Sequence, residues 1–262
     1  MRVYHIRIRV RCLILITLLL TPATVFCQRG SFAVADLRDK AVLKCLFDAR
    51  MIDGTALWMP NFSEAQEFNV SDDGLCHTIL DTILVYGNES LLVFTTSNGD
   101  DCHACAPDIS LATFHKESDK VWHFERMMKH LRKYGSYGKR QSIRLLKAGK
   151  TNYLLRFELS YGSMGEMFKF VNLYELQGYE EVFSSIIYNS FEDPLDKELP
   201  YSWDKQFSFT PSDGSSELYD IVLITSGTGR LNKDDEKAPI KTLSGKEIYR
   251  YDGDLNRYIR LK

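Results

Sequence analysis

Long apolar runs are missing from this 262-residue chain once its first 27 residues are set aside, so the remainder offers no candidate for a membrane-spanning helix. An excess of basic charge is missing too. The formal net charge is −2, and a chain without a basic balance lacks the electrostatic footprint of a nucleic-acid partner. No motif recurs at a fixed period, which excludes a sequence-encoded solenoid. Metalloenzyme pairings of the His-x-x-x-His or His-Glu-x-x-His kind do not occur among His77, His103, His115, His123 and His130. Glycine-containing stretches also fall short of catalytic or ligand-binding patterns. Ser226-Gly-Thr-Gly-Arg230 lacks the Gly-Lys-Ser/Thr of a phosphate loop. Tyr161-Gly-Ser-Met-Gly165 has tyrosine where a nucleophile elbow needs its first glycine. Asp252-Gly-Asp254-Leu-Asn256 opens like a calcium loop, but Arg257 replaces the required glycine and no bidentate glutamate follows, so it reads as a hairpin turn. No catalytic residue, metal or cofactor is therefore assigned from motifs.

What is present begins with an export signal. Arg2, Arg7, Arg9 and Arg11 precede an uncharged run from Cys12 to Leu20, Pro22 breaks it, and Val25-Phe-Cys27 offers a small-residue exit before Gln28. Basic head, short apolar middle and small-residue end form the layout of a secretory signal. Cys12 to Cys27 spans only 16 residues, short of the ~20 a membrane anchor needs. Lipid attachment at Cys27 is disfavoured by the bulk of Phe26 before it. Residues 1–27 are thus expected to be removed, and the mature chain to work in the periplasm or outside the cell with a formal charge of −6.

Export changes the meaning of the cysteines. Cys45, Cys76, Cys102 and Cys105 would stay in the mature chain, and an even count in an oxidising compartment reads first as disulfides. The favoured pairing is Cys102 with Cys105 and Cys45 with Cys76. Two thiols separated by two residues can instead form a redox pair or contribute to a metal site. The stretch Leu91-Leu-Val-Phe-Thr-Thr, followed by Cys102-His-Ala-Cys105 and Pro107, locally resembles a thioredoxin-like site over 17 residues. That resemblance implies a redox-active pair, although Asp101 stands where the family has tryptophan. Haem attachment is excluded because Ala106, not histidine, follows Cys105.

The rest of the chain divides into a helical preface and a β region. Residues 31–52 read as a helix on the spacing of Val34, Leu37, Ala41 and Leu46, with Gly54 after its end. An irregular linker through residue 75 follows, and with it come Asn-x-Ser sequons at Asn61, Asn69 and Asn88. From Cys76 onward, short runs rich in β-branched and aromatic residues alternate with turn signals such as Gly149-Lys150 and Asp252-Gly253. One internal helix is expected, because Val121, Phe124, Met127, Met128 and Leu131 recur at helical spacing before Gly135. The expected architecture is mainly β: an antiparallel sandwich or propeller-like array over 76–262, prefaced by the N-terminal helix over 28–75.

One electrostatic feature stands out against the acidic background. Arg126, Lys129, Arg132, Lys133, Lys139, Arg140, Arg144, Lys147 and Lys150 occur with no acid between 126 and 150. A concentrated positive face could hold an anionic surface, glycan or protein; alternatively these side chains are solvated or paired with nearby acids. The functional expectation is an exported, non-catalytic binding or envelope-associated β domain. An extracytoplasmic thiol–disulfide protein using Cys102 and Cys105 is the alternative, and a secreted hydrolase without a readable motif comes third.

Overall fold

The computed structural model describes residues 32–68, 70–97, 105–118, 120–136, 139–163, 165–192, 200–212, 217–230 and 239–261. The expected export signal, Asn69, Cys102 and His103 lie outside the described residues. Among the described residues, fifteen strands and two helices follow in chain order. They are β1 (Ala33–Val34), α1 (Lys40–Phe47), β2 (Arg50–Ile52), β3 (Thr55–Trp58), α2 (Glu64–Glu67), β4 (Cys76–Tyr86), β5 (Glu89–Ser97), β6 (Asp108–Lys116) and β7 (Trp122–Lys133). Then come β8 (Ser142–Lys147), β9 (Tyr153–Ser163), β10 (Glu166–Glu175), β11 (Glu181–Phe191), β12 (Tyr201–Thr210), β13 (Asp220–Arg230), β14 (Ile240–Asp252) and β15 (Arg257–Arg260).

The mainly β expectation holds: the structure is mostly antiparallel strand, in two sheets forming a half-barrel sandwich. Both sheets are meanders. The first runs β1-β7-β6-β5-β4-β3-β2 and the second β15 back to β8 in unbroken sequence order. β1 pairs with β7; because every other strand pairs with a chain neighbour, successive turns alternate between two ends of each sheet. No described helix is long and apolar enough to cross a membrane.

Three cores hold the layers. β5 and β6 are buried along nearly their whole length, which accounts for their near-continuous apolar character. Leu92, Phe94, Ala112 and Phe114 face a core closed by α1, Trp58 and Phe68. Their neighbours Leu91, Val93, Ile109 and Leu111 face the second sheet and meet Phe157 and Tyr174. The third core lies inside the curl of the second sheet, where Phe183 on β11 meets Tyr258 on β15.

Two helical expectations are corrected. The segment 31–52 is not one helix. α1 covers only its middle, Asp39 caps it by accepting the Ala41 N–H at 2.9 Å, and Asp48 ends it in a left-handed conformation. Gly54, read as a helix stop, instead forms with Asp53 the tight turn of the β2–β3 hairpin, with φ of 84° and 47°, the positive values that a two-residue hairpin turn favours. The segment read as helix thus supplies β1 and β2, and the supposed linker supplies β3, to the same sheet as β4–β7.

The internal helix expected over Val121–Leu131 is strand β7. Its pairing with β6 shifts register between Ile109 and Leu111 and again between Thr113 and Phe114. Each bulge inserts residues on β7, so the two-residue alternation of a strand is broken into steps that imitate a helical period. Phe124 and Met127, three apart, both pack on the α1 core.

An ion pair ties the preface to the sheet. Lys129 on β7 donates to Glu64 on α2 at 2.8 Å, and Asn61 and Glu64 cap α2 by reciprocal bonds of 2.9 and 3.0 Å. Burial alone would raise the Glu64 carboxyl, but the Lys129 hydrogen bond, the Asn61 N–H and the Lys129 charge together hold it below its usual value. A carboxyl lowered on folding stabilises above its unfolded pKa and loses that contribution as pH falls through the folded one. Glu64→Gln is expected to cost about 0.5–1 kcal/mol at neutral pH. The difference should vanish in acid, as read by urea unfolding of both chains across pH.

Candidate functional site

The alternation of turns gathers five hairpins at one end of the sandwich. The β4–β5 turn of the first sheet meets the β8–β9, β10–β11, β12–β13 and β14–β15 connections of the second, and they frame a cleft of about 770 Å³. Tyr86, Tyr153 and Tyr251 supply aromatic walls, and the Tyr86 and Tyr153 rings lie 5.5 Å apart across the two sheets. Glu175, Glu180 and Glu217 supply charge, and none of the described lining residues is Lys or Arg.

The carboxylates are positioned by their own turns. Glu175 accepts the backbone N–H groups of Gln177, Gly178 and Glu180. Glu180 accepts from Asn256, and Glu217 accepts from Asn152 at 3.2 Å. Burial pushes the Tyr251 phenol up, and the charges of Glu175, Glu180, Asp252 and Glu217 add to that shift. The cleft therefore carries a negative field beside aromatic faces, an environment that favours a positively charged group.

The basic stretch is split up by the fold. Side chains on β7 leave opposite faces of the sheet. Arg126 reaches the β10–β11 turn, donating to the carbonyls of Leu176 and Gln177 and lying 5.0 Å over Tyr179. Arg132 also points to the second sheet, donating to Tyr174 and standing 3.4 Å from Glu181. Lys129 points the other way, to Glu64 and 5.0 Å over Trp58. Arg140 pairs with Asp81, and with Lys139 it lines a smaller cleft of about 420 Å³. Arg144 pairs with Glu158 at 3.1 Å. Lys133 ends β7 as the cross-strand partner of Asp108. Arg126, Arg132 and Lys129 thus serve mainly to join the layers rather than to make one open positive face.

The cysteines sort differently from the expected pairing. Cys45 and Cys76 carry thiols instead of the expected bridge. Both pack in the α1 core, Cys45 from the helix and Cys76 from the start of β4 opposite Trp58, where they serve as small apolar side chains. Burial, reinforced by the charges of Asp108 and Glu64 and opposed by that of Lys129, pushes the Cys76 thiol up to about 12. Iodoacetamide should therefore leave Cys76 unmodified in the native chain and label it after unfolding, a difference read by peptide mass mapping. Cys105 is disulfide-bonded. Three residues on, Asp108 is wholly buried, with a carboxylate oxygen 3.3 Å from His130 Nδ1.

Sequence reasoning missed the cleft residues. Their only signal is proximity to turn markers such as Gly87-Asn88, Gly149-Lys150 and Asp252-Gly253; that these turns converge is a property of the meander. Set against known proteins, the chain matches no family model, no curated protein and no solved structure.

Proposed function

We propose that the mature chain is an exported β domain that acts by non-catalytic binding, and that the cleft between the two sheets receives a cationic group of its partner, an ammonium or guanidinium. The cleft's lining carries this reading: three tyrosines and three glutamates, with no basic side chain among the described lining residues. Cations gain from aromatic faces and from carboxylates held rigidly by their own turns. Export rests on the basic and apolar layout of residues 1–27.

The reading predicts salt-sensitive binding of a lysine oligomer. Glu180→Gln with Glu217→Gln should weaken it by more than about tenfold, since two charges are removed from one partly enclosed site. Retention on anionic polysaccharide instead, lost on neutralising Lys129, Arg132, Lys133, Lys139 and Arg140 and untouched by the glutamate changes, would transfer the function to the basic stretch and sink the cleft.

A second reading is an extracytoplasmic thiol–disulfide protein using Cys102 and Cys105, favoured by the disulfide at Cys105, which lies three residues before the wholly buried Asp108. Its test is the reduction potential: a value below about −300 mV marks a structural bridge and retires the redox role.

A further inference from the structure

His115 on β6 and His123 on β7 are direct cross-strand partners, so their side chains leave the same face of the sheet at close range. The imidazoles stack with centroids 5.5 Å apart and planes 25° apart. Both turn Nε2 toward one carboxylate: Glu117 stands 3.1 Å from His115 Nε2 and 3.8 Å from His123 Nε2. The side chains of His115, Glu117 and His123 are 42%, 54% and 30% exposed, so an ion in solution can reach all three. Glu89 on β5 continues the same row beyond His115.

We propose that His115 and His123 are a chelating pair for a divalent transition metal of the zinc, nickel or copper type, with Glu117 as a third donor and water completing the shell. Two imidazoles bound at a metal–nitrogen distance of about 2.0 Å and a tetrahedral angle have ring centres roughly 5 Å apart. The stacked pair already stands near that spacing. Among the described residues no three such groups yet stand as a metal-holding set. Binding therefore requires Glu117 to rotate from its contact with the imidazoles into coordination, a change confined to an exposed side chain. Imidazole nitrogen suits these metals, whereas magnesium and calcium take oxygen shells, so the pair discriminates against them. The site is separate from the cleft and does not depend on the binding role proposed there.

Titration of the tag-free mature chain with Zn²⁺ or Ni²⁺ alone, followed by calorimetry, is expected to show one saturable site, and Mg²⁺ none. His115→Ala and His123→Ala should each weaken it by more than about tenfold, and Glu117→Gln by less. Acidification of the unmodified chain should abolish binding, because both imidazoles must be unprotonated to coordinate. That arm needs no variant to fold. Absence of saturable binding, binding that persists in acid, or an unchanged isotherm in a folded His115→Ala/His123→Ala chain overturns the proposal.

Discussion

Phe157→Ala is expected to lower the unfolding free energy by about 3–5 kcal/mol. Phe157 is fully buried at the middle of β9. Its ring meets Tyr134 edge-on at 4.8 Å and Tyr174 at 5.0 Å, and its cluster joins apolar residues of both sheets. Truncation removes the transfer free energy of the ring and leaves a cavity in a layer whose backbone is pinned by ladders on both sides, so collapse around the void is limited. Phe62→Ala is the control. That ring is 84% exposed, and its loss should stay within about 0.5 kcal/mol. Urea unfolding followed by tryptophan fluorescence measures both. A Phe157→Ala cost below about 1 kcal/mol would mean that the two sheets are not joined through this core.

Gly227→Ala should destabilise by roughly 3 kcal/mol, combining backbone strain with overpacking. Gly227 holds a φ of +125°, and a Cβ there would stand 2.3 Å from the Ser202 carbonyl oxygen and 2.6 Å from the Trp203 Cα. Both obstacles are backbone of the neighbouring strand β12, where Trp203 is the register partner of Gly227, so no side-chain rotation relieves them. Gly245→Ala on β14 is the internal comparison, because nothing lies within 4 Å of its added Cβ and its φ is ordinary. It should be neutral or stabilise by up to about 1 kcal/mol. Equal thermal stabilities for the two variants would show that β12 and β13 do not approach as closely as the register requires. The motif Ser226-Gly-Thr-Gly-Arg230, which fails as a phosphate loop, thus has a structural use: its glycines let the Trp203 backbone and ring lie against β13.

Strand-forming composition carried most of the second sheet. The runs Tyr153–Leu159 and Val182–Tyr188 lie within observed strands, and Met167–Leu176 and Leu218–Thr225 overlap β10 and β13 for most of their length, because β-branched and aromatic residues bounded by turn residues are a local signal. β6 was invisible for the opposite reason. Buried on both faces, its Asp108–Phe114 run has no alternation to read. β7 was misread because bulges against β6 disguised a strand as a helical stripe, and a bulge depends on which neighbour the strand meets. The Cys45–Cys76 bridge failed for a related reason: compartment and parity permit a disulfide, but only side-chain placement in the core makes one.

One property was legible from residues alone: the mainly antiparallel β character, which depends on local composition and turn residues. The tertiary structure decided everything that involves residues far apart in the chain. It divided Arg126, Arg132 and Lys129 between the two faces of one sheet, because successive strand residues alternate and bulges reset that alternation. It brought Tyr86, Tyr153, Glu175, Glu217 and Tyr251 to a common cleft, because a meander returns alternate turns to the same end. It set His115 against His123, because the β6–β7 register makes them opposite neighbours. Charge and hydropathy are written residue by residue, whereas a site is a set of distances, and in a two-sheet meander those distances are fixed by register.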